Sequence, residues 1–316
     1  MELKNMPEDL IYINGEYYAT SEARISIFDA GLMTGDTITE STRTFVHRPF
    51  RLRDHLTRLY RSMKVARYPS GPSLEEMERI TLDLVERNRP LYRAEDDFWI
   101  THNITRGNFS VANDPSRGRS GPTVIIMTMF LDLRYWAPFY RDGCHAVTPF
   151  SRAVPSEALD PKIKNRSRLS YTLCDLEVKL VDPDAHCLLL ETAGNLAENK
   201  GGNLFLVADG RVLTPTTRNI LAGISRRTIL ELCGELGIPA EEKDLQPYDV
   251  YTADEAFFTS TPYCIMPATR FNGLPVGEGQ VGPVTLRLLD AWSARVGVDI
   301  AGQGLAQLEG TARAGA

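Results

Sequence analysis

The sequence predicts a mixed α/β protein with two domains. A chain of 316 residues can form two domains or one large one, and strand-like and helix-like patterns of apolar residues alternate along its length. This alternation breaks between Trp136 and Pro138. We therefore predict a small N-terminal α/β domain over residues 1–135, an interdomain loop over 136–143 and a large C-terminal domain over 144–316.

Local signals define the elements of the N-terminal part. Asn14-Gly15 between alternating apolar residues predicts a β-hairpin over residues 10–17. Asp54 is predicted to cap a helix that extends to about residue 67, and Ser73 with Glu76 forms the capping box of a second helix. The apolar, β-branched runs at residues 97–101 and 123–130 predict strands.

The C-terminal part has similar signals. Residues 171–180 are predicted to be helical, and Asp209-Gly210 predicts a hairpin over residues 204–213. A helix over residues 225–236 should end at Gly237, and a short strand should cover residues 256–260. The small and polar residues 305–316 predict a loose tail.

Composition excludes several classes of protein. A net charge of -6 argues against a nucleic-acid binder, and no apolar run reaches the length of a signal-peptide core or of a membrane span, about 18 residues. The five cysteines are scattered and odd in number, without CxxC spacing. We therefore expect neither a disulfide framework nor a metal site, and we expect a cytoplasmic protein.

One pair of segments carries recognisable chemistry. Glu198 lies five positions before Asn203, which opens an apolar β-run, and glycines 201 and 202 lie between them. Upstream, Lys162 and Lys164 follow a proline turn. A lysine, a buried carboxylate and a glycine-flanked strand are what a pyridoxal 5′-phosphate (PLP) enzyme needs. The lysine forms a Schiff base, and the carboxylate keeps the pyridine nitrogen protonated.

Three further features could hold a phosphate group. Gly223 precedes a predicted helix whose first amides attract an anion, and Ser225 adds a hydroxyl. Hydroxyl side chains fill residues 259–261, and Arg58 could form a bidentate clamp. Taken singly, each is as well explained by a plain helix start, a turn or a solvated arginine. Their order along the chain makes the case for a phosphate site.

The order of these motifs resembles that of the class IV aminotransferases, the fold type IV PLP enzymes with a D-amino-acid aminotransferase-like fold. The similarity covers about residues 10–295 and extends to branched-chain aminotransferases and (R)-selective amine transaminases. The segments that carry it are residues 51–62, 160–165, 198–205, 220–226, 258–262, 265–268 and 277–285.

The resemblance implies a PLP cofactor, bound by the C-terminal domain, and a role for each matching residue. Lys164 would carry the internal aldimine, Glu198 would pair with the pyridine nitrogen, and Leu221 would pack on the ring. The residues implied to bind phosphate are Arg58, Ile224, Ser225 and Thr261, and those implied to contact substrate are Thr39, Arg43 and Pro262.

The resemblance also implies the reaction and the partners. An amino acid or primary amine would donate its amino group to a 2-keto acid by a ping-pong aldimine/pyridoxamine mechanism. The small-molecule donor and acceptor would be the ligands, the protein would be a homodimer, and neither nucleic acid nor membrane is expected as a partner.

Some residue assignments have rivals. Lys162 and Lys164 are two residues apart, and on an extended strand they would share a face, so spacing does not separate them. The resemblance favours Lys164, and it favours Glu198 over Glu191; Lys200, in the glycine turn, is a third lysine candidate. For Arg43, a structural ion pair with Glu40 or another acid is favoured over contact with substrate.

Departures from the family pattern bear on substrate. Thr39 stands where branched-chain enzymes and (R)-amine transaminases have an aromatic, and Leu169 where branched-chain enzymes have a tyrosine. Residues 107–114 show no match to the carboxylate-binding arginine and histidine of D-amino-acid transaminases. Arg168-Leu169 resembles the lysine segment of aminodeoxychorismate lyases. The alternatives are thus such a lyase, a D-amino-acid transaminase, and a non-catalytic PLP-fold binding protein, which would require a lost lysine or glutamate.

Overall fold

The computed structural model describes residues 8–108 and 121–314, with side chains described to residue 310. The chain forms two compact units. The first contains the described residues up to Leu131 together with Ile163–Ser167, and the second contains Asp132–Lys162 and the residues from Arg168 onward.

The division falls after Leu131, whereas the sequence suggested an interdomain loop over 136–143. The reason is that this segment packs within the second unit. Ala137 and Tyr140 are buried there, and the Tyr140 hydroxyl donates to the carbonyl of Tyr263 at 2.9 Å.

The first unit is built on a six-stranded antiparallel sheet with the strand order β2-β1-β6-β5-β3-β4. Its strands are β1 (Leu10–Ile13), β2 (Glu16–Ala19), β3 (Thr37–Phe45), β4 (Arg48–Pro49), β5 (Phe98–Thr105) and β6 (Val124–Phe130). Its helices are α1 (Ala30–Thr34), α2 (Leu52–Val65) and α3 (Leu74–Asn88), followed by a 3-10 turn at Arg89–Leu91.

Helices α2 and α3 cover one face of this sheet. Alternate residues of β3 and β5, such as Ile38 and Ile100, contribute with helix residues such as Leu56 and Leu84 to one buried apolar cluster. A strand buries every second residue against such a helical layer. The residues between them, including Thr39, therefore belong to the opposite face of the sheet.

Turn and cap chemistry explains where these elements begin. The predicted hairpin is confirmed, with Asn14 and Gly15 at φ 50° and 106°, and so is the capping box of Ser73 and Glu76. The predicted Asp54 cap is wrong. α2 begins after Arg51, which has φ 55°, and Asp54 lies in the first turn, where it accepts a hydrogen bond from Arg51 Nε at 2.8 Å.

The second unit holds a nine-stranded sheet and six helices among its described residues. The strands are β7 (Cys144–Val147), β8 (His186–Leu190), β9 (Leu196–Asn199), β10 (Gly202–Ala208), β11 (Arg211–Thr214), β12 (Ala240–Glu242), β13 (Glu255–Ser260), β14 (Cys264–Phe271) and β15 (Leu274–Pro275). The helices are α4 (Phe139–Asp142), α5 (Leu169–Lys179), α6 (Ile224–Leu236), α7 (Pro247–Tyr251), α8 (Pro283–Val296) and α9 (Ile300–Ala314).

The sheet of the second unit closes on itself. Its order is β12-β11-β10-β13-β14-β7-β8-β9, with β15 beside β14, and β9 pairs with β10 as well as with β8. The pairs β7–β14, β7–β8 and β11–β12 are parallel, and the remaining pairs are antiparallel. The pairing of β9 with β10 removes the open edge of β9, while β12 remains an edge strand of this sheet.

The hairpin at Asp209-Gly210 and the end of α6 at Gly237 are confirmed. The predicted loose tail is wrong, because α9 runs from Ile300 to Ala314. Small residues allow this helix to approach closely: a Cβ on Gly304 would lie 3.2 Å from the Tyr140 ring. Gln307 Oε1 also accepts a hydrogen bond from the Leu133 amide at 2.7 Å. Within the described ranges, no helix is long and apolar enough to cross a membrane.

Candidate active site

Lys164 lies in the first unit, within a five-residue segment whose flanking residues belong to the second. The segment Ile163–Ser167 runs antiparallel to the start of β3. The Thr39 amide donates to the Lys164 carbonyl at 2.9 Å, and the Lys164 amide donates to Ser62 Oγ at 3.3 Å. These bonds fix the Lys164 backbone against β3 and directly beside Thr39.

The rival lysines have different surroundings. Lys162 lies in a turn of the second unit, so the expectation that it shares an extended strand face with Lys164 is wrong. Its Nζ is 3.0 Å from Asp160 Oδ1, and its side chain is 45% exposed. Lys200 Nζ is 2.9 Å from Asp175 Oδ2. Both rival amines are thus exposed and engaged in ion pairs with carboxylates.

Arg58 is held in the first unit by a buried carboxylate, Glu40. Arg58 Nε donates to Glu40 Oε2 at 2.8 Å and Nη2 donates to Oε1 at 2.7 Å. His55 Nδ1, 3.0 Å from Oε1, and the Ser41 amide complete the donor set. The implied phosphate ligand Arg58 thus uses one side of its guanidinium to anchor itself on Glu40.

The charges of this cluster follow from its geometry. Burial alone would raise the pKa of Glu40, but the Arg58 charge and the His55 hydrogen bond outweigh it, and the pKa lies well below its usual value. Burial lowers the pKa of His55 despite Glu40, and the charges of Arg58 and Lys164 add to that lowering. The His55 imidazole is therefore neutral near pH 7 and donates from Nδ1.

We expect Glu40→Gln to destabilise the protein by about 3–5 kcal/mol, because it leaves the Arg58 charge buried without its counter-ion. The pKa of Glu40 is lowered on folding, so its contribution is complete above the ordinary value of 4.5 and is lost as the pH falls through the folded-state value. Urea unfolding should thus show a difference in the free energy of unfolding between the unmodified protein and Glu40→Gln. This difference should become smaller as the pH is lowered from about 5 toward 3.

The matched control is Glu75→Gln, since Glu75 is 70% exposed and bonds Arg53 at 3.0 Å on the surface. That substitution should change stability little at any pH. An equal effect of the two substitutions would contradict the assignment of Glu40 as the anchor of Arg58.

Glu198 lies on β9 in the second unit and is 7% exposed. Because β9 pairs with β10, Glu198 stands opposite Asn203, and Asn203 stands opposite Thr259 of β13. Asn203 Nδ2 and the Leu221 amide donate to Glu198 Oε2 at 3.2 and 3.0 Å, and the Tyr171 hydroxyl donates to Oε1 at 3.1 Å. Donors therefore orient both oxygens of a buried carboxylate.

The rival carboxylate, Glu191, has a structural role in connecting two loops. Its oxygens accept hydrogen bonds from Asn195 Nδ2 at 2.5 Å and from Asn219 Nδ2 at 3.0 Å. It thereby ties together the β8–β9 turn and the loop before α6, which is a structural role.

The start of α6 adjoins the Glu198 cluster. Gly223 is the N-cap residue, without a side-chain cap, and a Cβ there would lie 2.0 Å from Asn203 Oδ1. Only glycine allows Asn203 to approach this closely, and Gly223, having no side chain, offers no acceptor of its own to the first amides of α6. Ile224 and Ser225 begin the helix and are buried.

The hydroxyl-bearing residues at the end of β13 adjoin this cluster, because Thr259 stands opposite Asn203. Thr259 Oγ1 is buried and has no hydrogen-bond partner among the described residues. Thr261 and Pro262 follow directly after β13. The second unit therefore brings together Glu198, Leu221, the α6 start and the β13 end, which are the ring-binding and most of the phosphate-binding residues implied by the resemblance.

The remaining predicted substrate residues lie in the first unit. Thr39 is 3% exposed, and its hydroxyl donates to the His102 carbonyl at 2.9 Å, with Asn103 Oδ1 at 3.0 Å. Arg43 is 2% exposed, and its Nη2 lies 3.7 Å from Asp97 Oδ2. This is the structural ion pair considered from the sequence, with Asp97 rather than Glu40 as the acid. Of residues 107–114, those from 109 onward lie outside the described residues.

Sequence reasoning missed His55 and Tyr171. The spacing of His55 and Arg58 on α2, three residues apart, could have shown that both face one partner. No local signal connects Tyr171 to Glu198, because they are 27 residues apart and meet only through the packing of α5.

Comparisons with known proteins identify the family of this chain. Residues 37–271 match the family described as amino-transferase class IV. The branched-chain-amino-acid aminotransferase of Escherichia coli strain K12 is 31% identical over 290 residues, which cover 90% of this chain and 92% of that protein.

Solved structures resemble the whole chain. A crystal structure of the Escherichia coli branched-chain amino acid aminotransferase has a TM-score of 0.81 at 29% identity and covers 91% of this chain and 94% of its own. That of the T.th. enzyme with pyridoxamine 5′-phosphate has a TM-score of 0.82 at 26% identity, with coverage of 95% and 96%. The chain belongs to the class IV aminotransferases, a family of PLP enzymes, and is a branched-chain-like transaminase of fold type IV.

Proposed function

We propose that this class IV aminotransferase binds PLP covalently at Lys164 and pairs Glu198 with the pyridine nitrogen. In this proposal it moves an amino group from an amino acid or primary amine to a 2-keto acid in separate half-reactions. The observation that carries the proposal is the Glu198 cluster, in which three donors orient a buried carboxylate beside the start of α6, whose N-cap residue is Gly223.

The residues of the second unit fit such a cofactor. The buried Thr259 Oγ1, which has no hydrogen-bond partner within the described ranges, and the first amides of α6 are donors that a phosphate group would satisfy. Gly223 has no Cβ, so Asn203 Oδ1 packs directly against the start of α6. Ile224, Ser225 and Thr261 are proposed to hold the phosphate with these donors, and Leu221 to contact the ring. In the first unit, Arg58 carries the positive charge and its position is fixed by Glu40.

When bound, PLP supplies an electron sink for the bonds at the substrate Cα. Lys164 is proposed to act as the base that removes the Cα proton and as the acid that returns a proton, since its backbone is fixed against β3. Glu198 keeps its charge next to the ring nitrogen and so holds a proton there. Arg58 and the α6 amides bind the phosphate and prevent the cofactor from leaving between half-reactions.

The test of this function is a single half-reaction. The protein loaded with PLP is mixed with an amino donor alone, and the cofactor is then extracted and identified. A transaminase converts it to pyridoxamine phosphate and releases an equal amount of keto product. A lyase returns it as PLP, and a binding protein leaves donor and cofactor unchanged; either result would overturn the proposal.

Thr39 bears on the choice between branched-chain-like and (R)-amine-transaminase-like donors. It lies beside the Lys164 backbone and offers a small side chain where the family has an aromatic. We therefore expect the protein to discriminate poorly between leucine and isoleucine and to use aryl-bearing amines or amino acids better. Thr39→Phe and Thr39→Tyr should shift the kcat/KM ratio of leucine to 1-phenylethylamine toward leucine by roughly 10-fold or more.

Thr39→Val is the matched control, because it keeps the size and removes only the hydroxyl that bonds the His102 carbonyl. It should leave the substrate ratio nearly unchanged. A ratio that stays constant in the aromatic variants would show that Thr39 does not limit the substrate site.

We also propose a cytoplasmic homodimer. An apolar stripe on α5 and the residue after it supports a partner surface: Leu169, Leu173, Leu176 and Leu180 are 73, 51, 57 and 89% exposed and repeat at helical spacing. A second copy of this chain is the proposed partner. All five cysteines are buried thiols, which suits a reducing compartment.

A further inference from the structure

Tyr171 supplies a hydroxyl that the family pattern does not lead one to expect. The family tyrosine position holds Leu169, whose side chain is 73% exposed at the start of α5. Two residues later, the Tyr171 hydroxyl reaches Glu198 Oε1 at 3.1 Å. The tyrosine of this chain therefore acts on the carboxylate of the proposed cofactor site.

The surroundings keep this phenol a donor. Burial raises the pKa of Tyr171, and the negative charge of Glu198 raises it further, so the hydroxyl stays protonated at physiological pH. The Arg168 guanidinium lies 3.8 Å from the centre of the Tyr171 ring and donates to the Lys200 carbonyl. Arg168 thus packs on the face of the ring and connects the start of α5 to the turn after Glu198.

Each oxygen of Glu198 then has its own donors. Oε2 accepts from Asn203 and Leu221, which belong to the sheet and to the loop before α6, whereas Oε1 accepts from Tyr171. Hydrogen bonds to a carboxylate favour its charged form, and donors on both oxygens fix the plane of the group. Without Tyr171, this hydrogen bond to Oε1 would be lost while those to Oε2 remained.

We propose that Tyr171 is a positioning residue that holds Glu198 ionised and aimed at the pyridine nitrogen of PLP. The inference rests on the proposed function, because it requires PLP at Glu198. Tyr171 acts through Glu198 and contacts no reacting atom.

The test compares PLP with 1-deazapyridoxal phosphate, which lacks the ring nitrogen, as ligands of the apoprotein. Tyr171→Phe should weaken PLP binding roughly 10-fold, the scale of one hydrogen bond to a charged group, and leave binding of the deaza analogue unchanged. The nitrogen resonance of ¹⁵N-labelled PLP should move toward that of unprotonated pyridine.

The matched control is Tyr140→Phe, which also removes a buried hydroxyl of the second unit, one that donates to a backbone carbonyl at 2.9 Å. Tyr140→Phe should change the affinities for PLP and for the deaza analogue equally, or leave both unchanged. In Glu198→Gln, adding Tyr171→Phe should cause no further loss of PLP affinity, because the charge that Tyr171 supports is already gone.

The outcomes separate the two proposals. Equal weakening of both ligands by Tyr171→Phe, or an additive loss in the double variant, would assign Tyr171 a structural role and overturn the inference while leaving the function intact. If the unmodified chain fails to bind PLP, the proposed function fails, and the inference fails with it.

Discussion

Lys164→Ala is expected to abolish transamination and to remove the visible absorption band of the lysine-bound cofactor. Under the proposal this side chain provides both the covalent link to PLP and the proton transfer at the substrate Cα, and no neighbouring amine can replace it. Lys162 and Lys200 are paired with carboxylates and about half exposed. Absorption spectra and steady-state rates of the purified variant are the measurements.

Lys162→Ala is the matched control, because it removes an amine two residues away in sequence. It should retain the band and most of the activity. If Lys162→Ala lost the absorption band and Lys164→Ala kept it, the reactive lysine would be Lys162 and not Lys164.

Glu198→Gln is expected to slow Cα proton removal by roughly 100-fold or more, the scale for losing one pre-organised electrostatic group. Glutamine keeps the size of the side chain and leaves the phosphate-binding elements intact, so PLP should remain bound. The ring nitrogen loses the charge that holds its proton, and the electron sink is weakened. Single-turnover kinetics with a Cα-deuterated donor isolate this step.

Glu191→Gln makes the same chemical change in the same unit, at the carboxylate that bonds Asn195 and Asn219. It should lower stability and leave the rate of proton removal nearly unchanged. A wild-type rate in Glu198→Gln, or an equal slowing in Glu191→Gln, would contradict the role given to Glu198.

The sequence predicted well those elements whose ends depend on neighbouring residues. Asn14-Gly15 and Asp209-Gly210 turn their hairpins because both residues of each turn adopt positive φ. Ser73 and Glu76 bond each other across the first turn of α3, and Gly237 ends α6 with φ 67°. Each of these signals is complete within a few residues, so no knowledge of the rest of the fold is required.

Other features depend on contacts distant in sequence and could not be derived in this way. The segment with Lys164 joins the first unit through bonds to Thr39 and Ser62, more than a hundred residues earlier. The partner of Arg43 proved to be Asp97 because β3 and β5 lie side by side. The C-terminal residues were misjudged as a tail because the glycines that weaken a helix by propensity also permit its close packing.

The family and the chemistry of the candidate site could be predicted from short motifs and their order along the chain. The family, fold type and transaminase activity are confirmed, since the order of short motifs survives even where single residues differ. The departures at Thr39 and Leu169 were visible in the sequence, but their consequences were not. Only the packing of α5 shows that Tyr171 brings a hydroxyl to Glu198.

The central claim, that Lys164 carries the cofactor, is tested most directly by chemical trapping. The protein loaded with PLP is reduced with borohydride, digested and analysed by peptide mass spectrometry. We expect a single pyridoxyl-phosphate modification on the peptide with Lys164, and fragmentation should assign it to that side chain. A modification on Lys162 or Lys200, or none in a protein that binds PLP, would contradict it.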